Sequence, residues 1–115
     1  MARLPTIVLA LAVVAAGCGG SGAQTNDADI EARVAAADPA AGQPVFDDIC
    51  AACHGPEGQG GIGARLVGVG GRLSATEIHE IVTDGRGRMP AWGNRLDADE
   101  VDAVVAYVLD TFPAE

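Results

Sequence analysis

The chain has 115 residues, room for one small domain. Sixteen Asp and Glu stand against seven Arg and no Lys, a formal charge of −9. This excludes nucleic acid and anionic lipid surfaces as electrostatic partners and favours a partner with a basic docking surface, unless the charge serves solubility alone. Apolar residues make up 49% of the chain but aromatics only 3%, so the rings that usually fill a core are scarce and a buried cofactor would supply the missing apolar bulk.

Met1-Ala2-Arg3 and the apolar run from Leu4 to Ala16, broken by Pro5 and Thr6, have the form of an export signal. The run is shorter than the roughly 20 residues that span a bilayer. It ends in Ala15-Ala16-Gly17-Cys18, which resembles a bacterial lipoprotein signal: residues 1–17 are removed and Cys18 becomes the lipid attachment site. Ala15 stands where leucine is usual, and a cut after Ser21-Gly22-Ala23, leaving Gln24 first, is the alternative. Three cysteines in an exported chain leave one unpaired, and a lipid on Cys18 would consume that thiol. More than one acyl chain would anchor the protein stably at a membrane. Residues 18–38 are rich in Gly, Ala, Ser, Asn and Asp and are expected to form a flexible tether, with at most a transient helical turn around Ile30 to Ala37.

The folded domain is expected over residues 39–115. Val45, Phe46, Ile49 and Cys53 share one helical face. Asp38-Pro39 has the form of a cap followed by proline at the first helical position, but Pro44 removes an internal hydrogen bond, so the helix is expected to begin near Gln43. It leads into Cys50-Ala51-Ala52-Cys53-His54, the spacing of c-type haem attachment. Cys50 and Cys53 on one helical turn reach two vinyl groups of one porphyrin, and His54 directly after them is placed to ligate the iron. A thioredoxin-like redox pair would need alternating strands and helices around the motif, and a zinc site would need four ligands where only Cys18 and His79 remain as further nitrogen or sulfur donors.

From Gly55 to Gly71 the glycines, with Ile62, Leu66, Val67 and Val69 between them, predict an irregular loop. It lacks the Gly-Lys-Ser/Thr ending of a phosphate-binding loop, which leaves close backbone approach to a cofactor. Ser74-Ala75-Thr76-Glu77 is a capping box, and Ile78, Ile81 and Val82 mark the apolar face of a helix over about 75–83, ended by Gly85. His79 sits in this helix beside Glu77 and Glu80 and is expected to be exposed. Arg86 and Arg88 lie in the methionine loop just before Met89, where they would meet haem carboxylates, a partner's acids or only solvent. Trp92 packs at the cofactor or plugs the small core. Asp97 to Glu100 forms a second capping box, and Val101, Val104, Val105, Val108 and Leu109 predict a helix running to Phe112.

The stretch from Asp38 to Phe112 resembles the class I monohaem cytochromes c, particularly the single-haem domains of bacterial terminal oxidases and dehydrogenases. It does so in Asp38-Pro39 to Phe46, the haem motif, the glycine-rich loop, Gly87-Arg88-Met89-Pro90-Ala91-Trp92 and the last helix. The resemblance implies an all-α small cytochrome c fold, three or more short helices wrapped around one haem c held by two thioether bonds. It implies a methionine as sixth iron ligand, and Met89 fills that place, since Met1 goes with the signal. The family's proline carbonyl behind the proximal histidine falls to Ala64 here, and Gly42, Phe46 and Tyr107 fall where the first and last helices cross. The function implied is single-electron transfer without substrate chemistry, by a carrier tethered on the periplasmic side of a bacterial membrane between a donor and an oxidase or other acceptor. The alternatives are a haem subunit of a larger complex, or an enzyme or gas sensor with an open distal site, which requires that Met89 not bind iron.

Overall fold

The computed structural model describes residues 26–115, which are helical apart from loops and one isolated bridge between Arg86 and Met89. The helices are α1 (Asp27–Ala36), α2 (Pro39–Val45), α3 (Ala51–His54), α4 (Ala75–Asp84) and α5 (Ala98–Thr111). A π turn over Phe46–Cys50 joins α2 to α3, and a 3-10 turn over Val69–Gly71 breaks the long loop. The expected all-α architecture is present. Among the described residues no helix is long and apolar enough to cross a membrane. The expected signal and Cys18 lie outside the described residues.

Two expectations need correcting. Residues 27–36, assigned to a flexible tether, form α1, a helix capped by the Asn26 side chain, which accepts from the Asp29 N–H. Ile30 and Val34, four residues apart, are buried, and α1 packs against α4 and α5. Thr76 Oγ1 donates to the Asp27 carbonyl, and the Arg33 guanidinium meets the Asp102 carboxylate at 2.9 Å. An apolar stripe of only two residues has little signal of its own, and the polar partners come from distant parts of the chain. Second, the helix before the haem motif starts at Pro39 and not near Gln43: Asp38 caps it by accepting from the Ala40 N–H at 2.9 Å, and Pro44 is tolerated inside it. Proline at the first position loses no helical bond, and the short helix absorbs the one bond lost at Pro44.

The remaining elements follow the local signals. Ser74 and Glu77 close the reciprocal box that starts α4, and Asp97 and Glu100 do the same for α5. Gly85 ends α4 at φ +77°, a conformation that favours glycine. Helices α2 and α5 cross where Gly42 lies directly on the α5 backbone; a Cβ there would collide with the Ala103 carbonyl and stand 2.8 Å from the Val104 nitrogen. Below the crossing, Phe46 is fully buried, with its ring 5.2 Å from Tyr107 and 5.8 Å from Phe112 between centroids. Val104 and Val105 complete this centre.

Candidate haem-binding site

The π turn inserts an i→i+5 step, in which the Ala51 N–H donates to the Phe46 carbonyl. Across it, Phe46, Ile49, Cys50, Cys53 and His54 all line one cavity of about 610 Å³, within the range of small-molecule and cofactor sites. Leu66, Val69 and Leu73 from the long loop and Ile78, Ile81 and Val82 from α4 make apolar walls. Met89, Pro90 and Trp92 close another side. The cavity therefore brings together all four donors that the sequence reading singled out in the folded domain: the thiols of Cys50 and Cys53, the His54 imidazole and the Met89 thioether.

The glycine loop holds the histidine. At the end of α3, Gly55 turns the chain at φ +82°, and the Gly60 and Gly63 N–H groups return to the His54 and Cys53 carbonyls at 2.7 and 2.8 Å. This satisfies carbonyls that a helix end leaves open. Gly63 lies flat on the imidazole; a Cβ there would stand 3.0 Å from His54 Nδ1 and Cε1. His54 Nδ1–H donates to the Ala64 carbonyl at 2.7 Å, which sets the tautomer, leaves the Nε2 lone pair free and raises its basicity as a ligand. Ala64 thus provides the carbonyl expected of it.

Met89 is presented by a tight turn in which Arg86 and Met89 exchange backbone hydrogen bonds at 3.0 and 3.1 Å. Trp92 and Gly93 tie the following strap to α4, donating to the Val82 and Thr83 carbonyls. Trp92 is half-buried in the cavity wall, with the Arg95 guanidinium 5.2 Å from its ring centroid. Before haem attachment, burial, with Cys53 close by, pushes the Cys50 thiol up to about 11. The two thiols are not joined in a disulfide. Among the described residues no group of three His, Cys, Asp or Glu side chains could hold a bare metal ion. Two thiols, an imidazole and a thioether around an apolar cavity fit a haem and not an isolated cation.

His79 is not exposed as expected. Its side chain is 13% accessible, and Nε2 lies 3.2 Å from Asp102 Oδ1, away from the cavity lining. Arg33, His79 and Asp102 form a polar cluster joining α1, α4 and α5. The available signal was Asp102 itself, a carboxylate set among Val101, Ala103 and Val104 that requires a cationic partner when buried.

Comparisons with known proteins agree with this geometry. A family model described as cytochrome c oxidase, cbb3-type, subunit III matches residues 37–108. The cbb3-type cytochrome c oxidase subunit CcoP of Azospirillum sp. (strain B510) is 42% identical over 81 residues, covering 60% of this chain; the chain spans only 27% of that subunit. Cytochrome c6 of Chlorolobion braunii is 40% identical over 81 residues, covering 64% of this chain and 91% of the relative. The crystal structure of cytochrome c6 from the diatom Phaeodactylum tricornutum superposes with a TM-score of 0.56 at 39% identity, covering 64% of this chain and 92% of that one. The chain belongs to the cytochrome c family of this cbb3-type subunit III model and is a class I monohaem electron-transfer cytochrome with one covalent haem c.

Proposed function

We propose that Cys50 and Cys53 would hold the haem through thioether bonds, that His54 and Met89 would ligate its iron, and that the protein is an exported single-electron carrier. The observation that supports this most is the convergence of the four side chains on one apolar cavity, with His54 already oriented by the Ala64 carbonyl. The bound haem supplies one-electron ferric/ferrous chemistry. Around it, the chain's residues bind, orient and exclude water: His54 keeps its Nδ1 proton on Ala64, Met89 closes the far side, and Leu66, Ile78, Ile81 and Val82 keep the walls dry. With His54 and Met89 both on the iron, no position would be left for a substrate.

The carrier acts on the periplasmic side of a bacterial membrane, held there by lipid on Cys18, and passes electrons between a donor and an oxidase or other acceptor. The export signal and the lipoprotein-like segment before Cys18 support this. A second reading, a haem subunit within a larger complex, is supported by the match to part of an oxidase subunit. Two measurements test the proposal. Mass spectrometry of protein matured in an export host is expected to find haem on the peptide carrying Cys50 and Cys53. Cys18→Ala is expected to move the protein from the detergent-extracted membrane fraction to the soluble fraction. An unlipidated N-terminus at Gln24 in the wild type rules out the anchor, and a stoichiometric co-purifying oxidase favours the subunit.

A further inference from the structure

The C-terminus of α4 carries more of the methionine strap than a connecting loop requires. A helix end leaves four carbonyls without intrahelical partners. At α4 the strap itself fills two of them: the Trp92 N–H donates to the Val82 carbonyl at 2.9 Å and the Gly93 N–H to the Thr83 carbonyl at 3.1 Å. With the turn that joins Arg86 to Met89, these bonds hold the backbone on both sides of Met89 before any iron–sulfur bond forms. The base of this seat is fixed in turn. His79, one helical turn before Thr83, meets Arg33 of α1 at 3.3 Å and Asp102 of α5 at 3.2 Å.

Two glycines make so close an approach possible. Gly85 has φ +77° and ψ 169°, a region that essentially glycine alone occupies. The strap lies where its side chain would be: a Cβ there would stand 2.7 Å from the Met89 carbonyl oxygen, 2.9 Å from the Ala91 nitrogen and 3.0 Å from the Pro90 carbonyl carbon. All three are backbone atoms, so the strap could yield only by moving as a body. At its far end, a Cβ on Gly93 would stand 2.6 Å from the Thr83 methyl and 3.0 Å from the Thr83 carbonyl oxygen. Gly93 has no positive φ, so the demand there is for space alone. Gly87, in the same loop at φ +58°, is the opposite case, since a Cβ on it meets nothing within 4 Å.

We infer that Gly85 and Gly93 are positioning residues for the sixth iron ligand: their bare backbones let the strap sit on the end of α4, and that seat keeps the far side of the haem closed. This rests on the reading of Met89 as a ligand. Ordering a free loop costs part of the binding energy of any ligand it carries, and a strap seated in advance avoids that cost. An external ligand must lift the strap off α4 before it reaches the iron. A side chain at Gly85 clashes only while the strap is seated, so the full cost of the clash shifts the balance toward the open form.

The test uses the ferric, haem-matured protein and imidazole, whose nitrogen lone pair replaces the thioether on the iron with no change of oxidation state. Binding is followed in the absorption spectrum. Wild type and Met89→Ala are titrated first; a wild type that takes imidazole as tightly as Met89→Ala removes the ligand reading and not the seat. Gly85→Ala is expected to bind imidazole about ten-fold more tightly than the wild type or better, within the range of an overpacking clash. Gly93→Ala is expected to move the same way without any φ strain, and it decides the matter should Gly85→Ala fail to mature. Gly87→Asn, a side chain that accepts a positive φ and here meets open space, is expected to stay within about two-fold of the wild type. A merely structural role would lower the denaturant midpoint of the glycine variants and leave their imidazole affinity alone. Wild-type affinity in both Gly85→Ala and Gly93→Ala, or an equal gain in Gly87→Asn, overturns the inference.

Discussion

Gly42→Ala sets two effects of opposite sign against each other. Alanine is the better helix former, which on its own would stabilise α2 by about 0.5–1 kcal/mol. Against this, the new methyl meets the Ala103 carbonyl and the Val104 nitrogen of α5, the latter at 2.8 Å. Both are backbone atoms in mid-helix, so neither can rotate away, and the clash is relieved only by moving α2 off α5. That movement loosens the packing of Phe46, which is fully buried beside Tyr107 and Phe112. Overpacking typically costs about 1–3 kcal/mol, and a backbone-to-backbone site belongs at the upper end, about 3 kcal/mol. The net expectation is a loss of about 2 kcal/mol, read as a lower denaturant midpoint of the haem-matured protein with unchanged slope. If Gly42→Ala matched or exceeded the wild type in stability, helix propensity would have won and the close crossing of α2 and α5 would be wrong.

Asp102→Asn is expected to cost about 1–2 kcal/mol at neutral pH, since a charge-assisted hydrogen bond becomes a neutral one at a side chain only 9% exposed. The same substitution tests a pH dependence. The Arg33 hydrogen bond, aided by the charges of Arg33 and His79 and opposed by burial, holds the Asp102 carboxyl below the usual carboxylate range. Folding therefore releases a proton there, and the stability gained is complete above the unfolded value of about 3.9 and lost as pH falls through the folded value. The wild type should lose stability faster than Asp102→Asn below about pH 4, and parallel acid limbs in melting curves would contradict the shift. Ile30→Ala is expected to destabilise by about 2 kcal/mol, the low end for a buried Ile because α1 lies at the periphery. Hydrogen exchange should then quicken in α1 first, and unaltered exchange would mean that α1 is not docked in solution.

The features readable from sequence were those whose causes are local. Cys50, Cys53 and His54 lie within five residues, and the chemistry of haem attachment demands that spacing. The boxes at Ser74 and Asp97 are closed within four residues, so both helix starts were legible. By contrast, α1 is held by Arg33 on Asp102, a contact between residues 69 apart in sequence, and no local pattern announces it. His79 had acidic neighbours in sequence, yet its face of α4 turns to Arg33 and Asp102. The start of α2 is not legible because Pro44 reads as a helix breaker, and only the folded chain shows the Asp38 cap prevailing over it. The seat of the methionine strap pairs Val82 and Thr83 with Trp92 and Gly93 across the turn at Met89, so only the fold assembles it.

The measurement that bears most directly on the central claim is the absorption spectrum of the dithionite-reduced, haem-matured protein before and after carbon monoxide, for the wild type and Met89→Ala. A haem closed by His54 and Met89 predicts a sharp low-spin c-type spectrum that carbon monoxide leaves unchanged in the wild type, and a spectrum that carbon monoxide shifts in Met89→Ala, whose far side is open. Ready binding of carbon monoxide by the wild type would contradict the closed electron carrier and move the protein to the enzymes or gas sensors.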